Sequence, residues 1–293
     1  MPLTLLVNPH SAGGRALKHL PRVEAALDAA RVDFRVERTR SLEHGVEAAL
    51  RAVEAAEVPV VMSGDGLLGA IGGAMAGAET PLGLIPCGRG NDLARVLGIP
   101  DDPEQALAVV LAGHSRRIDV GEANGRRFLG IASIGFDSIC NELANRTRLP
   151  LGGFVYAYSA FVTLLRWKPA RFTIRVGEER RRLTGYSVSV ANSRAYGGGM
   201  FIAPAAELDD GEFDIVHVGE VGKLRFVGNL PKVFKGTHVD EDVVSVFRAS
   251  HLELTASRPF PVYADGEHLT DLPADLRVLP RALSVLVPAQ AEA

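Results

Sequence analysis

The stretch Val60-Val61-Met62-Ser63-Gly64-Asp65-Gly66-Leu67-Leu68-Gly69 is an apolar run that stops at two glycines with an aspartate between them. It predicts a strand, a phosphate-facing turn and a helix, because glycine lets the backbone approach a ligand closely and a helix N-terminus favours an anion. The carboxylate of Asp65 repels phosphate unless a divalent cation, a donor group or a sugar hydroxyl lies between them. The turn therefore indicates phosphate bound with a metal ion rather than phosphate alone.

The segments around this stretch repeat the same order of strand and helix. Upstream, Leu3 to Val7 is a predicted strand, followed by Asn8-Pro9-His10-Ser11-Ala12-Gly13-Gly14, a second candidate anion loop that opens a helix. Pro21 is expected to bend or restart that helix. Val32 to Val36 and Pro81 to Pro86 are two further predicted strands. This alternation predicts a sheet of parallel strands with ligands at their carboxyl ends, where the glycine turns fall.

Short polar segments mark the starts of the other helices in this half. Ser41 is a candidate N-cap, and Asp102, with Pro103 at the first helical position, starts a helix plainly. The segment Cys87-Gly88-Arg89-Gly90-Asn91-Asp92 is expected to open a short helix. Asp92 is either a carboxylate that stabilises the first helical turn or a ligand, and the local sequence favours neither.

Length and composition limit the class of protein. A chain of 293 residues with 47% hydrophobic and 23% charged residues has the size of two soluble globular domains. Its formal net charge of −3 gives no general attraction to nucleic acid, so no nucleic-acid partner is expected. Cys87 and Cys140 are too few for a disulfide scaffold or a cysteine metal site, and Met1 to Val7 lacks the charged region of a signal peptide. The expected location is the cytoplasm.

From Ile118 onward, predicted strands dominate, which indicates a second, largely antiparallel domain. We place the boundary so that residues 1–122 form the α/β domain and residues 123–293 form the β-rich domain, with the option that the last residues return to the first. The predicted strands are Phe128 to Ile134, Phe172 to Val176, Tyr186 to Val190, Phe213 to Val218, Leu252 to Ala256, Val262 to Ala264 and Leu283 to Val287.

Two helices are expected to interrupt the second domain. Leu149 to Leu165 carries no charge but is shorter than the ~20 residues that a membrane-spanning helix needs. It is either a buried or domain-covering helix, or an apolar lid or membrane-facing surface for a lipid. Lys223 to Lys235 has basic ends, and is either a solvated amphipathic helix or a contact for anionic lipid.

Two acidic clusters lie in the strand-rich half. Glu207-Leu208-Asp209-Asp210-Gly211-Glu212 is either a plain hairpin turn or a cation-binding loop of oxygen ligands, and the spacing alone favours the turn. Asp265-Gly266-Glu267 follows a short predicted strand, and Asp-Gly is a strong signal for a two-residue hairpin. A catalytic role for this second cluster is the alternative to a turn that only shapes the backbone.

Five segments, Asn8 to Gly14, Ser63 to Leu67, Pro86 to Ala94, Leu208 to Asp214 and Asp265 to Glu267, follow one another in a recognisable order. Together they resemble the diacylglycerol kinase catalytic-domain family, which includes bacterial diacylglycerol kinases, YegS-like lipid kinases and sphingosine kinases. The resemblance implies a parallel-rich α/β nucleotide-binding domain of the NAD kinase and diacylglycerol kinase type, followed by a largely antiparallel β-sandwich domain. It also implies an ATP-dependent lipid kinase of phospholipid biosynthesis, with ATP and a lipid alcohol meeting in the cleft between the domains.

The resemblance carries residue roles onto this chain. Asp265 or Glu267 is expected to accept the proton of the lipid hydroxyl, and Asp65, with Asp92 and Asp119, to hold Mg²⁺ through water. Asp210, with main-chain oxygens of Glu207 and Glu212, resembles the structural magnesium site of the bacterial enzymes. The expected ATP-binding residues are Asn8, Pro9, Ser11, Gly13, Thr39, Ser63, Gly64, Asp65, Gly66, Leu67, Arg89, Asn91 and Asp92.

Three positions depart from the usual family pattern. Ser63 and Leu67 stand where most members have Gly-Gly-Asp-Gly-Thr, although sphingosine kinases share the Ser-Gly-Asp-Gly-Leu form. Arg89 replaces a frequent threonine, which removes a hydroxyl and adds a cation that can face phosphate. The departures leave the reaction as implied but widen the choice of lipid to diacylglycerol, phosphatidylglycerol, undecaprenol and sphingoid bases.

Three other functions are weighed against this one. An NAD-dependent dehydrogenase fits poorly, because the G-x-G-x-x-G match at Gly64 to Gly69 is not on the first strand and no acidic residue ends a strand ~20 residues later. An NAD kinase shares the Gly-Asp-Gly turn, but the Asn-Pro-x-Ser start and the late Asp-Gly-Glu favour lipid kinases. A non-catalytic lipid-binding regulator is the third. The expected partners are a lipid substrate reached by peripheral contact with a membrane surface and, by resemblance, a second copy in a homodimer.

Overall fold

A computed structural model describes residues 1–147 and 155–289 of the chain. The chain divides into two compact units. The first comprises Met1–Val120 together with the C-terminal segment that begins at Leu279, and the second comprises Gly121–Val278. The sequence suggested a boundary between residues 122 and 123. The structure places it two residues earlier, between Val120 and Gly121.

The first unit has an α/β fold with a four-stranded parallel sheet. In spatial order the strands are β2 (Phe34–Arg38), β1 (Leu3–Val7), β3 (Val58–Ser63) and β4 (Gly83–Pro86). Every residue of β1, β3 and β4 is buried, as expected for parallel strands covered on both faces. The parallel sheet predicted from the strand–helix alternation is confirmed. The helices are α1 (Arg15–Ala30), α2 (Leu42–Glu54), α3 (Asp65–Ala74), α4 (Asp92–Val96) and α5 (Pro103–Ala112).

The helix starts of this unit follow local chemistry. The Ser41 hydroxyl accepts the backbone N–H of His44 at 3.1 Å, and the Asp102 carboxylate accepts two N–H groups at the start of α5, as predicted. The prediction that Pro21 bends or restarts α1 is wrong, since one helix runs through it. Pro21 lies on the exposed face, where water can satisfy the carbonyl that lost its partner.

The second unit is built on an antiparallel sheet that folds into a sandwich, as predicted. Its strands follow the order β14-β13-β7-β9-β8-β12-β15-β5-β6, with β10 paired to β9 and β11 paired to β10. Their bounds are β5 (Ser115–Ala123), β6 (Arg126–Phe128), β7 (Ile131–Gly135), β8 (Ala170–Val176), β9 (Glu179–Ala191), β10 (Phe213–Gly219), β11 (Val244–Ala249), β12 (His251–Ala256), β13 (Pro261–Ala264), β14 (Glu267–Asp271) and β15 (Ala274–Leu286).

Two details of the predicted strands are corrected. The single strand expected from Phe128 to Ile134 is two strands, β6 and β7, because Leu129 and Gly130 turn their N–H groups toward a side chain instead of a neighbouring strand. The strand β11 was not predicted, since its alternation is interrupted by Phe247.

Three helices lie within the described part of the second unit, where the sequence suggested two. They are α6 (Phe136–Arg146), α7 (Val155–Arg166) and α8 (Lys223–Val233). The predicted helix from Leu149 to Leu165 overlaps α7, and its residues 149–154 lie outside the described residues. No helix in the described ranges combines the length and the hydropathy needed to cross a membrane.

An aromatic cluster holds α6 and α8 to the sheet of the second unit. The rings of Tyr186 on β9 and Phe226 on α8 stack with centroids 4.1 Å apart, and the Phe136 ring of α6 meets Phe226 edge-on at 5.0 Å. Trp167 packs edge-on against Phe136 at 5.4 Å. Such pairs add directional attraction to the burial of large apolar rings, so the two helices are fixed where they enclose a pocket over the sheet.

Candidate active site

Two glycine turns of the first unit lie back to back at the carboxyl ends of β3 and β4. The Cys87 N–H donates to the Ser63 carbonyl at 2.8 Å, which carries the pairing of the two strands into the loops. A Cβ atom on Gly64 would lie 2.9 Å from the Gly88 Cα atom, closer than such atoms can approach. Both positions therefore require glycine, because the two backbones touch.

The loop that follows β1 joins these two turns. The Asn8 amide donates to the Ser63 hydroxyl at 3.1 Å, and the Ser11 hydroxyl donates to the Cys87 carbonyl at 2.9 Å. The Arg15 guanidinium donates to the Gly88 carbonyl at 3.0 Å. Three loops that are distant in sequence thus form one cluster at the carboxyl edge of the parallel sheet, where ligands bind in this class of fold.

The structure brings most of the predicted ATP-binding residues into this cluster. Asn91 has a positive φ of 52° and its side-chain oxygen accepts the Gly88 N–H at 2.7 Å, so it shapes the turn. Arg89 is exposed beside it. The residues placed in or beside the three loops are Asn8, Pro9, Ser11, Gly13, Ser63, Gly64, Asp65, Gly66, Arg89, Asn91 and Asp92.

Thr39 and Leu67 have buried side chains. The Thr39 N–H donates to the Val7 carbonyl at 2.9 Å, and its hydroxyl donates to the same oxygen at 3.4 Å. Leu67 is 3% exposed and packs against Gly45 of α2. A ligand could contact Leu67 only through its main chain, so this departure from the family pattern serves the contact between α2 and α3.

Asp65 carries the main electrostatic feature of the cluster. It begins α3, and its carboxylate accepts the Leu93 N–H at 3.3 Å. Burial raises the pKa of Asp65, and the negative charge of Asp92 raises this pKa further. Asp92 itself pairs with Arg95 at 2.8 Å. Two carboxylates close enough to repel each other favour a cation near them.

Asp119, the third carboxylate of the metal prediction, is bonded to the C-terminal strand. It is fully buried on β5, and its carboxylate accepts the N–H of Arg281 at 2.6 Å. Arg281 lies within β15 and has a positive φ of 49°. The contact ties the C-terminal strand to β5. The role of Asp119 as a magnesium ligand stays a prediction.

The acidic segment near the end of the second unit is the predicted two-residue hairpin. Ala264 of β13 pairs with Glu267 of β14, and Asp265 and Gly266 form the turn with φ angles of 53° and 85°. The Asn145 amide of α6 donates to the Gly266 carbonyl at 3.4 Å. The hairpin is thus held from two sides, by the sheet and by α6.

The two carboxylates of this hairpin have different surroundings. Asp265 accepts the Leu129 N–H at 2.8 Å and the Gly130 N–H at 2.9 Å, one with each oxygen. A Cβ atom on Gly130 would lie 2.5 Å from the Asp265 carboxylate, so a larger residue there would displace that carboxylate. Glu267 is exposed, and partial desolvation of its carboxylate raises its pKa. Asp265 is anchored, whereas Glu267 presents its carboxylate to incoming groups.

The other acidic segment, Glu207 to Glu212, lies against an arginine. Arg248 of β11 forms an ion pair with Asp210 and lies 3.4 Å from Glu212 and 3.6 Å from Asp214. The Asp210 carboxylate also accepts the Glu212 N–H at 3.1 Å, which closes the turn. Within residues 1–147 and 155–289 no three His, Cys, Asp or Glu side chains are grouped to hold a metal. The structural magnesium site, which was suggested from Asp210 and main-chain oxygens, stays a prediction.

Replacing Arg248 with methionine is expected to lower the free energy of unfolding by about 1–3 kcal/mol. The reason is that Asp214 is buried, and burial, followed by Glu212 and Glu207, raises its pKa, so its charge would be left less compensated without Arg248. Without the guanidinium, added Mg²⁺ should raise the melting temperature of the variant more than that of wild type. Arg175→Met is the matched control, because its pair with Glu253 is exposed on both sides; an equal loss in both variants would contradict the prediction.

The sequence reasoning missed a pocket in the second unit. It lies between α8 and the strands β9 and β10, and its walls are mostly apolar. Asp137, in the first turn of α6, lines it, and burial raises the pKa of this carboxyl to about 6 although the Ser187 hydroxyl donates to it. The sequence did not reveal α6 because this helix begins at Phe136, directly after Gly135, the last residue of the apolar strand β7.

The two units together define a class of phosphotransferase. Residues 2–123 match the family model of the diacylglycerol kinase catalytic domain, and residues 130–287 match that of the YegS C-terminal NAD kinase beta sandwich-like domain. A lipid kinase is the class that combines the two. The chain belongs to the diacylglycerol kinase family, as the resemblance of its motifs implied, and it is an enzyme of the lipid kinase type.

Individual relatives agree over nearly the full length of the chain. A diacylglycerol kinase of Mycobacterium tuberculosis (strain CDC 1551 / Oshkosh) is 35% identical, with 98% of this chain and 95% of the relative covered. A protein of Chromohalobacter salexigens with the name "Probable lipid kinase YegS-like" is 30% identical, with 83% of this chain and 80% of the relative covered. The fold is similar to the crystal structure of a diacylglycerol kinase from Bacillus anthracis str. Sterne, with a TM-score of 0.78, 22% identity and coverage of 99% and 98%.

Proposed function

We propose that the protein transfers the γ-phosphoryl group of ATP to the hydroxyl of a lipid, such as diacylglycerol or a related lipid alcohol. The observation that carries this proposal is the cluster of three loops around Asp65 in the first unit. Phosphoryl transfer needs little covalent chemistry from the protein, and depends on holding the phosphates, neutralising charge and placing the acceptor hydroxyl. The residues of both units divide these tasks.

The loops of the first unit supply the groups that hold phosphates. Gly64 and Gly88 are in close contact and have no side chains, so backbone N–H groups of these turns can face phosphate oxygens. Arg89 is exposed on the third loop and adds a positive charge. The start of α3 lies directly after Gly64, and its N-terminal dipole favours an anion.

The carboxylate of Asp65 fits a magnesium ion that is shared with the phosphates. Mg²⁺ is usually held by one or two carboxylates together with phosphate oxygens and water, rather than by a full protein cage. When bound, the ion supplies charge neutralisation for the transferred phosphoryl group. Asp65 suits this because burial and the neighbouring Asp92 make its charge costly without a cation, while the Leu93 N–H keeps its carboxylate oriented.

The second unit supplies the acceptor side of the reaction. Glu267 stands on a hairpin fixed by Asp265 and Asn145, so its carboxylate is exposed on a rigid support. Its raised pKa brings it closer to the pH at which a general base works best. We assign proton acceptance from the lipid hydroxyl to Glu267, and the positioning of the hairpin to Asp265.

Two features favour a lipid over NAD as the acceptor. The apolar pocket of the second unit can take a hydrocarbon chain, and offers little to a dinucleotide. The helices α7 and α8 also expose large apolar side chains, among them Phe161 at 62% and Leu224 at 91%. Residues 155–168 and 223–235 contain six Arg or Lys and no Asp or Glu, in a chain of net charge −3. Arg225 and Lys232 pair with Glu241 and Asp242, which reduces the positive charge of this surface. Apolar groups beside the remaining cations suit the surface of an anionic membrane.

The test is an assay with radiolabelled ATP and Mg²⁺ in which NAD, diacylglycerol, phosphatidylglycerol, undecaprenol and a sphingoid base are offered separately. Labelled product from at least one lipid, and none from NAD, is the expected result. Label transferred to NAD alone would establish a soluble NAD kinase instead. Lipid binding without turnover of any lipid would indicate a regulator. Adding extracted total lipid, with product identified by mass, covers acceptors outside the panel.

The membrane contact is testable with the double variant Phe161→Ser, Leu224→Ser. We expect it to lose on the order of tenfold or more in binding to vesicles that contain phosphatidylglycerol, because each side chain contributes about 1.5–3 kcal/mol when fully buried. Cosedimentation measures the loss. Turnover of a short-chain, water-soluble lipid should not change. Leu111→Ser, on a half-exposed helix of the first unit, is the control, and an equal loss there would argue against a specific surface.

A further inference from the structure

The pocket of the second unit combines apolar walls with one acidic side chain. Its lining includes Val218, Phe226, Leu230 and Val233, together with the polar side chains of Asp137 and Ser187. Of the lining residues, Tyr196 and His238 are the other titratable groups. Burial lowers the pKa of His238, so its ring is neutral near pH 7. Asp137 is therefore the charge that a molecule in this pocket meets.

Asp137 is a partly buried carboxylate. The Ser187 hydroxyl donates to it, and one donor leaves most of the acceptor capacity of a carboxylate unused. Cys140, one helical turn further along α6, faces the same region, and its own pKa is raised first by burial and then by Asp137. An apolar group pressed against this carboxylate would remove its remaining hydration at a considerable cost.

The position of Asp137 relates it to the catalytic hairpin. Gly130, whose N–H binds Asp265, is separated from Asp137 by the strand β7, whose five residues span roughly 16 Å. From Asp137, α6 runs back for eight residues, about 12 Å, to Asn145, which contacts Gly266. Along either element, the length of chain between Asp137 and the hairpin is similar to the length of a medium hydrocarbon chain.

We propose that Asp137 sets the chain length of the lipid that this pocket accepts, by penalising any chain whose end reaches its carboxylate. The proposal rests on the lipid kinase function above and makes it more specific. A chain that ends before Asp137 gains from each buried methylene, whereas a longer chain must bury the carboxylate or fold back. Asp137 is thus a specificity-determining residue that does not touch the reacting atoms.

The experiment measures equilibrium binding of monoacylglycerols from about six to about fourteen carbons, without ATP and below their aggregation concentration, to wild type and to Asp137→Leu. Wild-type affinity should rise by about fourfold for each added methylene and then stop rising. In Asp137→Leu the rise should continue for several further methylenes. Short chains should bind both proteins equally. Leucine has the same branched side-chain shape as aspartate, is larger than it, and suits the apolar walls, so folding is expected to survive.

Two further measurements separate this role from a structural one. Asp137→Asn, which keeps a polar group without charge, should give a profile between those of wild type and Asp137→Leu. We call the chain length at which wild-type affinity stops rising the break. In wild type, lowering the pH from about 7 to about 5 should move the break to longer chains, because the Asp137 pKa lies near 6 and the carboxyl then becomes neutral. Neither variant should show this shift. Glu253→Leu, on β12 outside the pocket, is the matched control and should reproduce the wild-type profile.

The outcomes distinguish this proposal from the proposed function. The role of Asp137 is overturned if wild-type affinity rises steadily through the whole series of chain lengths. It is also overturned if Asp137→Leu loses affinity equally at every chain length. If the break is present but no lipid is phosphorylated, the chain-length site stands and the kinase assignment fails. If lipids are phosphorylated and the ratio of kcat/KM for long and short chains does not change in Asp137→Leu, the kinase stands and the role of Asp137 fails.

Discussion

An Asp65→Asn variant should lose phosphoryl transfer by on the order of a thousandfold while it keeps its fold, if Asp65 supplies a charge that the reaction needs. Asparagine retains the oxygen that accepts the Leu93 N–H, so α4 stays in place. What it removes is the negative charge that holds a cation against the phosphates. The measurement is kcat at saturating ATP and Mg²⁺ with the lipid that gives the highest turnover.

The stability of the same variant provides an independent check. Because burial and Asp92 raise the folded-state pKa of Asp65, the charged carboxylate costs stability at pH values above that pKa. Asp65→Asn should therefore melt at an equal or higher temperature than wild type at neutral pH, and the difference should shrink as acid protonates Asp65. Mg²⁺ with ATP should raise the melting temperature of wild type, and less that of the variant. Full turnover with an intact response to Mg²⁺ would remove Asp65 from the mechanism.

The loop around Asp65 shows how far local sequence carries the interpretation. An apolar run that ends at Gly64 and Gly66 was enough to predict the strand, the turn and the helix, because each depends on neighbouring residues. The reason that Gly64 must be glycine was not accessible, because its contact, Gly88, lies 24 positions away on another loop. The order of the strands in the sheet decides which loops are in contact. The sequence only suggests that order.

The hairpin at Asp265 shows the same limit at longer range. Asp-Gly predicts a turn with two positive φ angles, and the structure has it. The donors that anchor the Asp265 carboxylate belong to Leu129 and Gly130, 136 and 135 positions earlier in the chain. They were predicted to lie within a strand, where their N–H groups would have had other partners. Without that contact, Asp265 and Glu267 could not be assigned different roles.

The pocket at Asp137 was missed for a different physical reason. Residues of α6 that face the protein follow a helical spacing, but they begin immediately after the apolar strand β7. The change of direction depends on Gly135, whose φ of 98° is open to glycine and strained for other residues. A carboxylate in the first turn of a helix usually reflects capping. Asp137 lines a pocket because α8, a distant part of the chain, packs over the sheet beside it.

A Glu267→Gln variant is expected to lose about 10²–10⁴-fold in kcat, the usual contribution of a general base. The exposed carboxylate with a raised pKa can take a proton from a lipid hydroxyl, whereas an amide cannot. In wild type, kcat/KM should fall as the pH drops through the Glu267 pKa, above the 4.5 of an ordinary glutamate. This acidic limb should disappear in Glu267→Gln, and the melting temperature should stay close to that of wild type because Glu267 is exposed.

Asp265→Asn is the matched comparison, because it changes the neighbouring carboxylate in the same way. Asparagine tolerates the positive φ of this turn, but its amino group would face either the Leu129 or the Gly130 N–H, leaving a donor unpaired at a cost of about 1–3 kcal/mol. We therefore expect a lower melting temperature and reduced kcat, with the acidic limb of the pH profile retained. If instead Asp265→Asn removes that limb at an unchanged melting temperature while Glu267→Gln keeps full turnover, the two roles are reversed and Asp265 is the base.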